Sequence, residues 1–384
     1  MIAPGSTLGV MGGGQLGRMF AIEARKMGYR VHVFDPSPAC PAGQVADLEI
    51  NAEYRDESAL ARFAEGVSTV TFEFENIPAA SLNVLSKARP VHPSPEVLLI
   101  CQNREREKTF LERNGYPVAP FAVIDSPEAL REGLLQTGTP AVLKTADFGY
   151  DGKGQLKIDK PEPPGELWER FGPRRAVLEG WITHEFELSV VCAGSPASGY
   201  SCFPAAENVH TRHILDVSIV PARIDPAILE EAESIARSLA RDLSLTGLLA
   251  VEFFLDSQGG LIVNELAPRP HNSGHYTFDA CVTSQFEQQV RTLCNLPAGS
   301  TQLLSPVVMV NLLGDLWNDG EPDWNTIFSE PSAKLHLYGK NEPRPGRKMG
   351  HFCVLDPSRD EALRKALNIR ANLGIDTDAG RAHG

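Results

Sequence analysis

The chain has 384 residues, 42% hydrophobic and 22% charged, with a formal net charge of −13. That length suits two or three domains of ordinary size, with a core large enough to need no staples. An acidic surface repels phosphate backbones and anionic lipid, which argues against nucleic acid or a membrane as partner and requires a local basic cluster for any anionic substrate.

The first segment alternates strands and helices. A short apolar strand at residues 7–11 is followed by a glycine cluster and a helix over 14–27, then by strands at 30–35 and 68–73. Strand, helix, strand in that order predicts a doubly wound parallel sheet of Rossmann type. Pro90, Pro93 and Pro95 place the first boundary near residue 100. A charged helix over 102–114 opens the middle segment. Strands are expected at 141–144, 176–179, 186–193, 249–255 and 260–266, with a helix over 227–242. This is an α+β pattern with several antiparallel strands. From about Thr301 come strands at 307–312, 334–338 and 350–354 and a helix over 359–373. The expected domains are therefore 1–100, 101–300 and a small β-rich domain over 301–375, with 376–384 as a tail. Seven cysteines, an odd number with no CxxC, read as reduced thiols of a cytoplasmic protein. The N-terminus lacks the pattern of a signal peptide, and no stretch approaches the ~20 apolar residues of a membrane span.

Gly12-Gly13-Gly14-Gln15-Leu16-Gly17 fits G-x-G-x-x-G between a strand and a helix, and Asp35 ends the next strand. The pattern serves either a dinucleotide phosphate at a helix N-terminus or merely a tight strand–helix turn. A second loop, Gly149-Tyr150-Asp151-Gly152-Lys153-Gly154-Gln155, follows an apolar strand ending in Lys144. Backbone N–H groups of such a loop can close over a triphosphate while Lys144 supplies a compact positive charge. A glycine-rich hairpin loop with one solvated lysine is the plainer alternative.

Glu252 and Glu265 lie on successive strands joined by Asp256-Ser257-Gln258-Gly259-Gly260. If that hairpin is symmetric about the Gln258–Gly259 bond, the two carboxylates are directly opposed on one face. Carboxylates so placed among apolar neighbours repel unless a hard cation sits between them, and Mg²⁺ both takes oxygen ligands and bridges phosphates. Asn264 adds a neutral oxygen. Glu179-Gly180-Trp181-Ile182 leaves an apolar strand with main-chain groups suited to an adenine edge. Glu185 and Glu187 share a strand face, where one could accept from ribose hydroxyls; a solvated face is the plainer alternative for each and the preferred one for Glu185. Arg269, His271 and Asn272 follow the carboxylate hairpin and can hold a small planar anion. Lys340, Arg344, Arg347, Lys348 and His351 form a basic stretch against the acidic average, the expected dock for a substrate phosphate. His210 stands alone and by itself reads as structural.

Together these residues resemble the 5-(carboxyamino)imidazole ribonucleotide synthase family of ATP-grasp ligases. The resemblance is carried by the first glycine loop, Thr71-Phe72-Glu73-Phe74-Glu75, the second glycine loop, the stretch from Glu179 to Ile182, the run from Asn264 to His275 and the C-terminal basic stretch, and it spans about residues 5 to 370. It implies an ATP-grasp core between the two flanking domains, ATP and Mg²⁺ as cofactors, and 5-aminoimidazole ribonucleotide and bicarbonate as substrates, in a cytoplasmic homodimer. Carried over residue by residue, it implies ATP contacts at Arg104, Lys144, Gly149, Tyr150, Asp151, Gly152, Lys153, Gly154, Gln155, Glu179, Gly180, Trp181, Ile182, Glu187, His210, Asn264 and Glu265. Glu252 and Glu265 resemble the metal ligands. Arg269, His271 and Asn272 resemble the bicarbonate region. Gln15, Glu73, Tyr150, Lys153, Lys340 and Arg347 resemble positions near the ribonucleotide, and Asp151 is expected to orient or deprotonate its amine. The first glycine loop becomes part of a substrate cleft. Two other readings differ in chemistry: a formate-dependent glycinamide ribonucleotide transformylase-like ligase, and a nicotinamide-dependent dehydrogenase.

Overall fold

The computed structural model describes residues 1–147 and 154–375. They divide into two compact units, one of Met1–Val97, Leu188–Val251 and the chain from Ala267, the other of Leu98–Glu187 and Glu252–Leu266. In the first unit, strands β1 (Thr7–Met11), β2 (Arg30–Asp35), β3 (Leu48–Asn51) and β4 (Thr69–Phe72) form a parallel sheet in the order β3-β2-β1-β4. The helix Gln15–Lys26 places Leu16, Met19, Phe20 and Ala24 on one buried face, the spacing of an amphipathic helix. That face shares a core with Phe286, Val290 and Leu293 of the helix Gln285–Leu293. Strand β3 and the helix Glu57–Glu65 escape the sequence reading. β3 has no fully buried residue, whereas the helix carries its start signal in Asp56, whose side chain accepts from the Ala59 N–H.

In the second unit, β5 (Phe121–Ile124), β6 (Ala141–Thr145), β7 (Gln155–Ile158) and β8 (Ala176–Gly180) form an antiparallel sheet in the order β5-β8-β6-β7. The helices Pro127–Thr137 and Pro164–Phe171 bury Leu130, Leu167 and Trp168 against Leu143 and Leu178 of that sheet. The helix Arg104–Arg113 is capped by Asn103, whose side chain accepts from the Arg106 N–H and donates to Asp147.

The remaining strands are β9 (His184–Ser195), β10 (Gly199–Cys202), β11 (Ala206–Thr211), β12 (Ile214–Val220), β13 (Gly247–Asp256), β14 (Leu261–Ala267), β15 (Val307–Leu313), β16 (Ala333–Leu337) and β17 (Lys348–Leu355). In the first unit they run β13-β9-β11-β12-β15-β17-β16, with β10 on β9. β15 pairs antiparallel with β12, so the C-terminal strands extend the sheet of the middle segment. The helix Arg359–Asn372 packs Ala362, Ala366 and Ile369 against Val308, Val310 and Phe352. No disulfide links the seven cysteines. Among the described residues no helix is long and apolar enough to cross a membrane.

Candidate active site

In the second unit, one face of the helix Arg104–Arg113 meets Glu179 of β8, which in turn meets Lys144 of β6. Arg104 and Lys108, one turn apart, share that face. Lys108 lies 3.4 Å from one carboxylate oxygen of Glu179, and Lys144 lies 3.1 Å from the other. Lys108 also donates to the Asn264 carbonyl at 3.0 Å, and Arg104 lies 3.7 Å from Glu265. Burial works against the Glu179 carboxylate, but Lys108, Lys144 and Arg104 outweigh it and hold the group at about 2. The Lys144 ammonium is pushed down by burial, which Glu179 only partly offsets. Glu107 accepts from the Leu266 N–H; burial first and then the nearby Glu265 push it up to about 8. Glu107 and Lys108 were not singled out in the sequence. The available signal was the spacing of Arg104, Lys108 and Leu111 along one helical face, hidden inside a run that reads as solvated charge.

The hairpin that carries the two acids departs from the symmetric form. Asp256 N–H donates to the Gly260 carbonyl, Gly259 N–H donates to Asp256, and Gly259 is left-handed at φ 80. The turn therefore centres on Gln258, one half-step from the expected bond. Continued without interruption, this register sets Glu252 opposite Asn264 and Glu265 one position beyond. Phe253, Leu255, Leu261 and Val263 are buried while Glu252, Phe254, Ile262 and Asn264 are half-buried, as that register requires. Glu265 is half-buried as well, so the alternation breaks at Asn264–Glu265 and turns two successive polar residues toward the open side.

Of the second glycine loop, Gly149, Tyr150, Asp151, Gly152 and Lys153 lie outside the described residues. Gly154 sits at φ 70 with its carbonyl accepting from Thr145, and Gln155 opens β7 opposite Lys144. Two of the main-chain groups between Glu179 and Ile182 have partners within the protein. Gly180 N–H donates to Pro120 and Trp181 N–H to Pro140, so both are already engaged. Trp181 is 43% exposed, with the Lys157 ammonium 4.4 Å over its ring, and Ile182 is half-buried. Glu187 faces His184 at 3.4 Å, and His184 stacks on Phe254. Glu185 is exposed, as expected.

In the first unit, Glu73 leaves the end of β4 and accepts from the N–H groups of Gly14 and Gly17. An internal carboxylate thus occupies the start of the helix Gln15–Lys26, where a dinucleotide phosphate would have to bind. Asp35 is likewise engaged, by Gly13 N–H, Ser37 N–H and the Tyr54 hydroxyl. Any side chain at Gly14 would collide with the Glu73 carboxylate, and at Gly13 with Cys40. The loop is therefore built to seat Glu73, which removes the site that a nicotinamide cofactor requires. Gln15 begins the same helix, half-buried.

Arg269 pairs with Glu75 and donates to the Pro270 carbonyl. Burial disfavours the Glu75 carboxylate, yet Arg269 holds it at about 2. Glu75 is a partner the sequence reading passed over, although it belongs to a quoted motif. His271 Nδ1 lies 2.8 Å from Ser273 Oγ. Asn272 is buried, and among the described residues neither atom of its amide has a hydrogen-bond partner; such an orphan suits a small polar ligand. His210 sits at a bulge in β11, half-buried.

The basic stretch separates into surface and core. Lys340 donates to the Lys348 carbonyl at 2.6 Å, with its ammonium 5.6 Å over the Tyr338 ring. Burial first, and then Arg347, push it down to about 8. Arg347 donates to the Glu342 carbonyl and Arg344 pairs with exposed Glu342. His351 does not belong to this surface. It is fully buried, bonded to the Tyr338 hydroxyl and stacked on His336, and burial pushes its pKa well below the usual range.

The comparisons with known proteins cover all three segments. A model of the ribonucleotide synthetase preATP-grasp domain matches residues 5–102, one of the ATP-grasp domain matches 109–286, and one of the phosphoribosylaminoimidazole carboxylase C-terminal domain matches 307–365. Fold and site together define an ATP-grasp ligase with a pre-ATP-grasp domain before its core and a C-terminal domain after it. The N5-carboxyaminoimidazole ribonucleotide synthase of Bacillus subtilis (strain 168) is 45% identical over 382 residues, 100% of this chain and 99% of that protein. An N5-carboxyaminoimidazole ribonucleotide synthetase solved as its ADP complex superposes with a TM-score of 0.91 at 44% identity, covering 96% of this chain and 97% of that one. The N5-carboxyaminoimidazole synthase of Aspergillus clavatus, solved with ADP and 5-aminoimidazole ribonucleotide, gives 0.88 at 29% identity, covering 96% and 98%. The chain belongs to the N5-carboxyaminoimidazole ribonucleotide synthase family.

Proposed function

We propose that the chain carboxylates the exocyclic amine of 5-aminoimidazole ribonucleotide with bicarbonate, converting ATP to ADP and phosphate. The observation that carries this reading is the buried cluster of Arg104, Lys108, Lys144 and Glu179, an excess of positive charge in an otherwise acidic protein, on a chain alike over its whole length to a synthase of that name. Lys144 and Arg104 suit nucleotide phosphates, and the stretch Gly149, Tyr150, Asp151, Gly152, Lys153, Gly154 and Gln155 has the composition to cover them. Trp181, Ile182, Glu187 and His210 suit the base and ribose.

Glu252 and Glu265, with Asn264, offer only hard oxygens and so fit Mg²⁺. When bound there, the ion would neutralise phosphate charge. Among the described residues no group of three or more His, Cys, Asp or Glu side chains is arranged for a metal. Glu252 and Glu265 would be the protein's share of such a site. Phosphoryl transfer asks the protein mainly for position and charge. Arg269, steered by Glu75, orients bicarbonate beside His271 and Asn272 for attack on the γ-phosphorus, giving carboxyphosphate. The ribonucleotide lies near Gln15 and Glu73, its phosphate toward Lys340 and Arg347. Asp151 orients or deprotonates the attacking amine. The protein works as a cytoplasmic homodimer.

ADP release decides the matter. It should require bicarbonate and rise with 5-aminoimidazole ribonucleotide. Release driven by formate and glycinamide ribonucleotide instead would transfer the chain to the transformylase reading.

A further inference from the structure

We propose that Lys108 is a positioning residue of the nucleotide site, acting through Glu179 on Lys144. The inference rests on the reading that Lys144 meets nucleotide phosphates. Lys108 is 2% exposed, and a lysine buried that far must be held by oxygens. Its ammonium lies 3.0 Å from the Asn264 carbonyl and 3.4 Å from Glu179, whose second oxygen lies 3.1 Å from Lys144. Two ammoniums therefore share one carboxylate. Paired with Glu179 alone, Lys144 would be neutralised before any ligand arrived. With Lys108 as a second cation, the trio keeps a positive charge, and the low local dielectric makes that charge count for more than it would in water. The Lys144 side chain retains 13% exposure and is the member able to face a ligand, whereas Lys108 is enclosed at 2%. Lys108 thus divides the attention of Glu179 without itself reaching the phosphates.

The test is ADP binding to the full-length protein by calorimetry, with thermal melting recorded for each variant. Lys108→Met should weaken ADP binding about tenfold. Lys108→Gln, which keeps a donor for the Asn264 carbonyl but no charge, should do the same, and it carries the test if the methionine variant does not fold. Lys108→Arg should restore affinity. In a Glu179→Gln background the loss from either uncharged variant should shrink below about twofold, since the route through Glu179 has gone. Wild-type ADP affinity in the uncharged variants, whatever their melting temperature, overturns the proposal, as does an undiminished loss in the Glu179→Gln background. If Lys144→Ala weakens ADP binding while the Lys108 variants do not, only this inference falls. If Lys144→Ala leaves it unchanged, the phosphate reading of Lys144 falls as well.

Discussion

Charged residues here are decided by their partners more than by their type. Glu265 stands beside Arg104 and raises Glu107, so it is a carboxylate whose loss alters the local charge without opening the core. Glu265→Ala should lower Mg²⁺-dependent ADP formation by about a hundredfold or more, with the circular-dichroism spectrum unchanged; full activity would defeat the metal assignment. Lys340 gives a pH test. Its folded pKa of about 8 lies below the ordinary 10.5, because burial and Arg347 disfavour its charge. The residue is therefore cationic below pH 8 and loses that charge above it. The kcat/KM for the ribonucleotide, which reports the free enzyme, should be level below about pH 8 and fall beyond it, and Lys340→Arg should move that break to higher pH. The same shift has a stability consequence of opposite sense. The charged form is penalised in the folded state, so this group's destabilisation is full below about pH 8 and is relieved as pH rises toward 10.5. The lysine, the arginine and their basic run were legible as a cluster in the sequence. That His351 leaves the cluster for the core was not, since its partners Tyr338 and His336 come from another stretch.

At the scale of elements, the best-read strands are those with unbroken apolar runs, such as β1, β2, β6 and β15. Strands β11 and β12 went unassigned because polar residues interrupt them. Those residues are satisfied by one another and from beyond the two strands: Ser218 donates to Asn208, Arg223 pairs with Glu207, and Arg370 pairs with Asp216 at 2.7 Å. The last pair ties the helix Arg359–Asn372 to β12, with both side chains buried. Asp216→Ala would remove the carboxylate paired with this buried guanidinium and should cost about 3–5 kcal/mol in urea unfolding. Asp216→Ala combined with Arg370→Met should recover most of that loss. In the parallel sheet, Glu73→Ala strips the acceptor from the Gly14 and Gly17 N–H groups and should cost roughly 1–3 kcal/mol. Glu73→Gln, which keeps one acceptor, should cost less.

For the whole molecule, the three matched segments identify an ATP-grasp ligase, while compactness divides the chain differently, into two units built from separated stretches. The first glycine loop shows why that matters for function. Its spacing suits a dinucleotide, yet the chain returns Glu73 to the helix start and fills the anion position itself. Titration with NADH followed by its fluorescence should therefore show no saturable binding. A saturating curve would restore the dehydrogenase reading.

The order of residues alone established the parallel N-terminal sheet, the strands with unbroken apolar runs, four of the helices, the first glycine loop and the acid hairpin, because hydrophobic period and turn chemistry act over a few neighbours. It also carried the family, through motifs that are contiguous. Tertiary structure decided which charges meet: Glu73 with the glycine N–H groups, Glu75 with Arg269, Glu179 between two lysines. It also set the turn on Gln258, one half-step from the bond that the spacing suggests. Such pairings join residues far apart in the chain, and long-range packing and desolvation govern them in ways that no local spacing encodes.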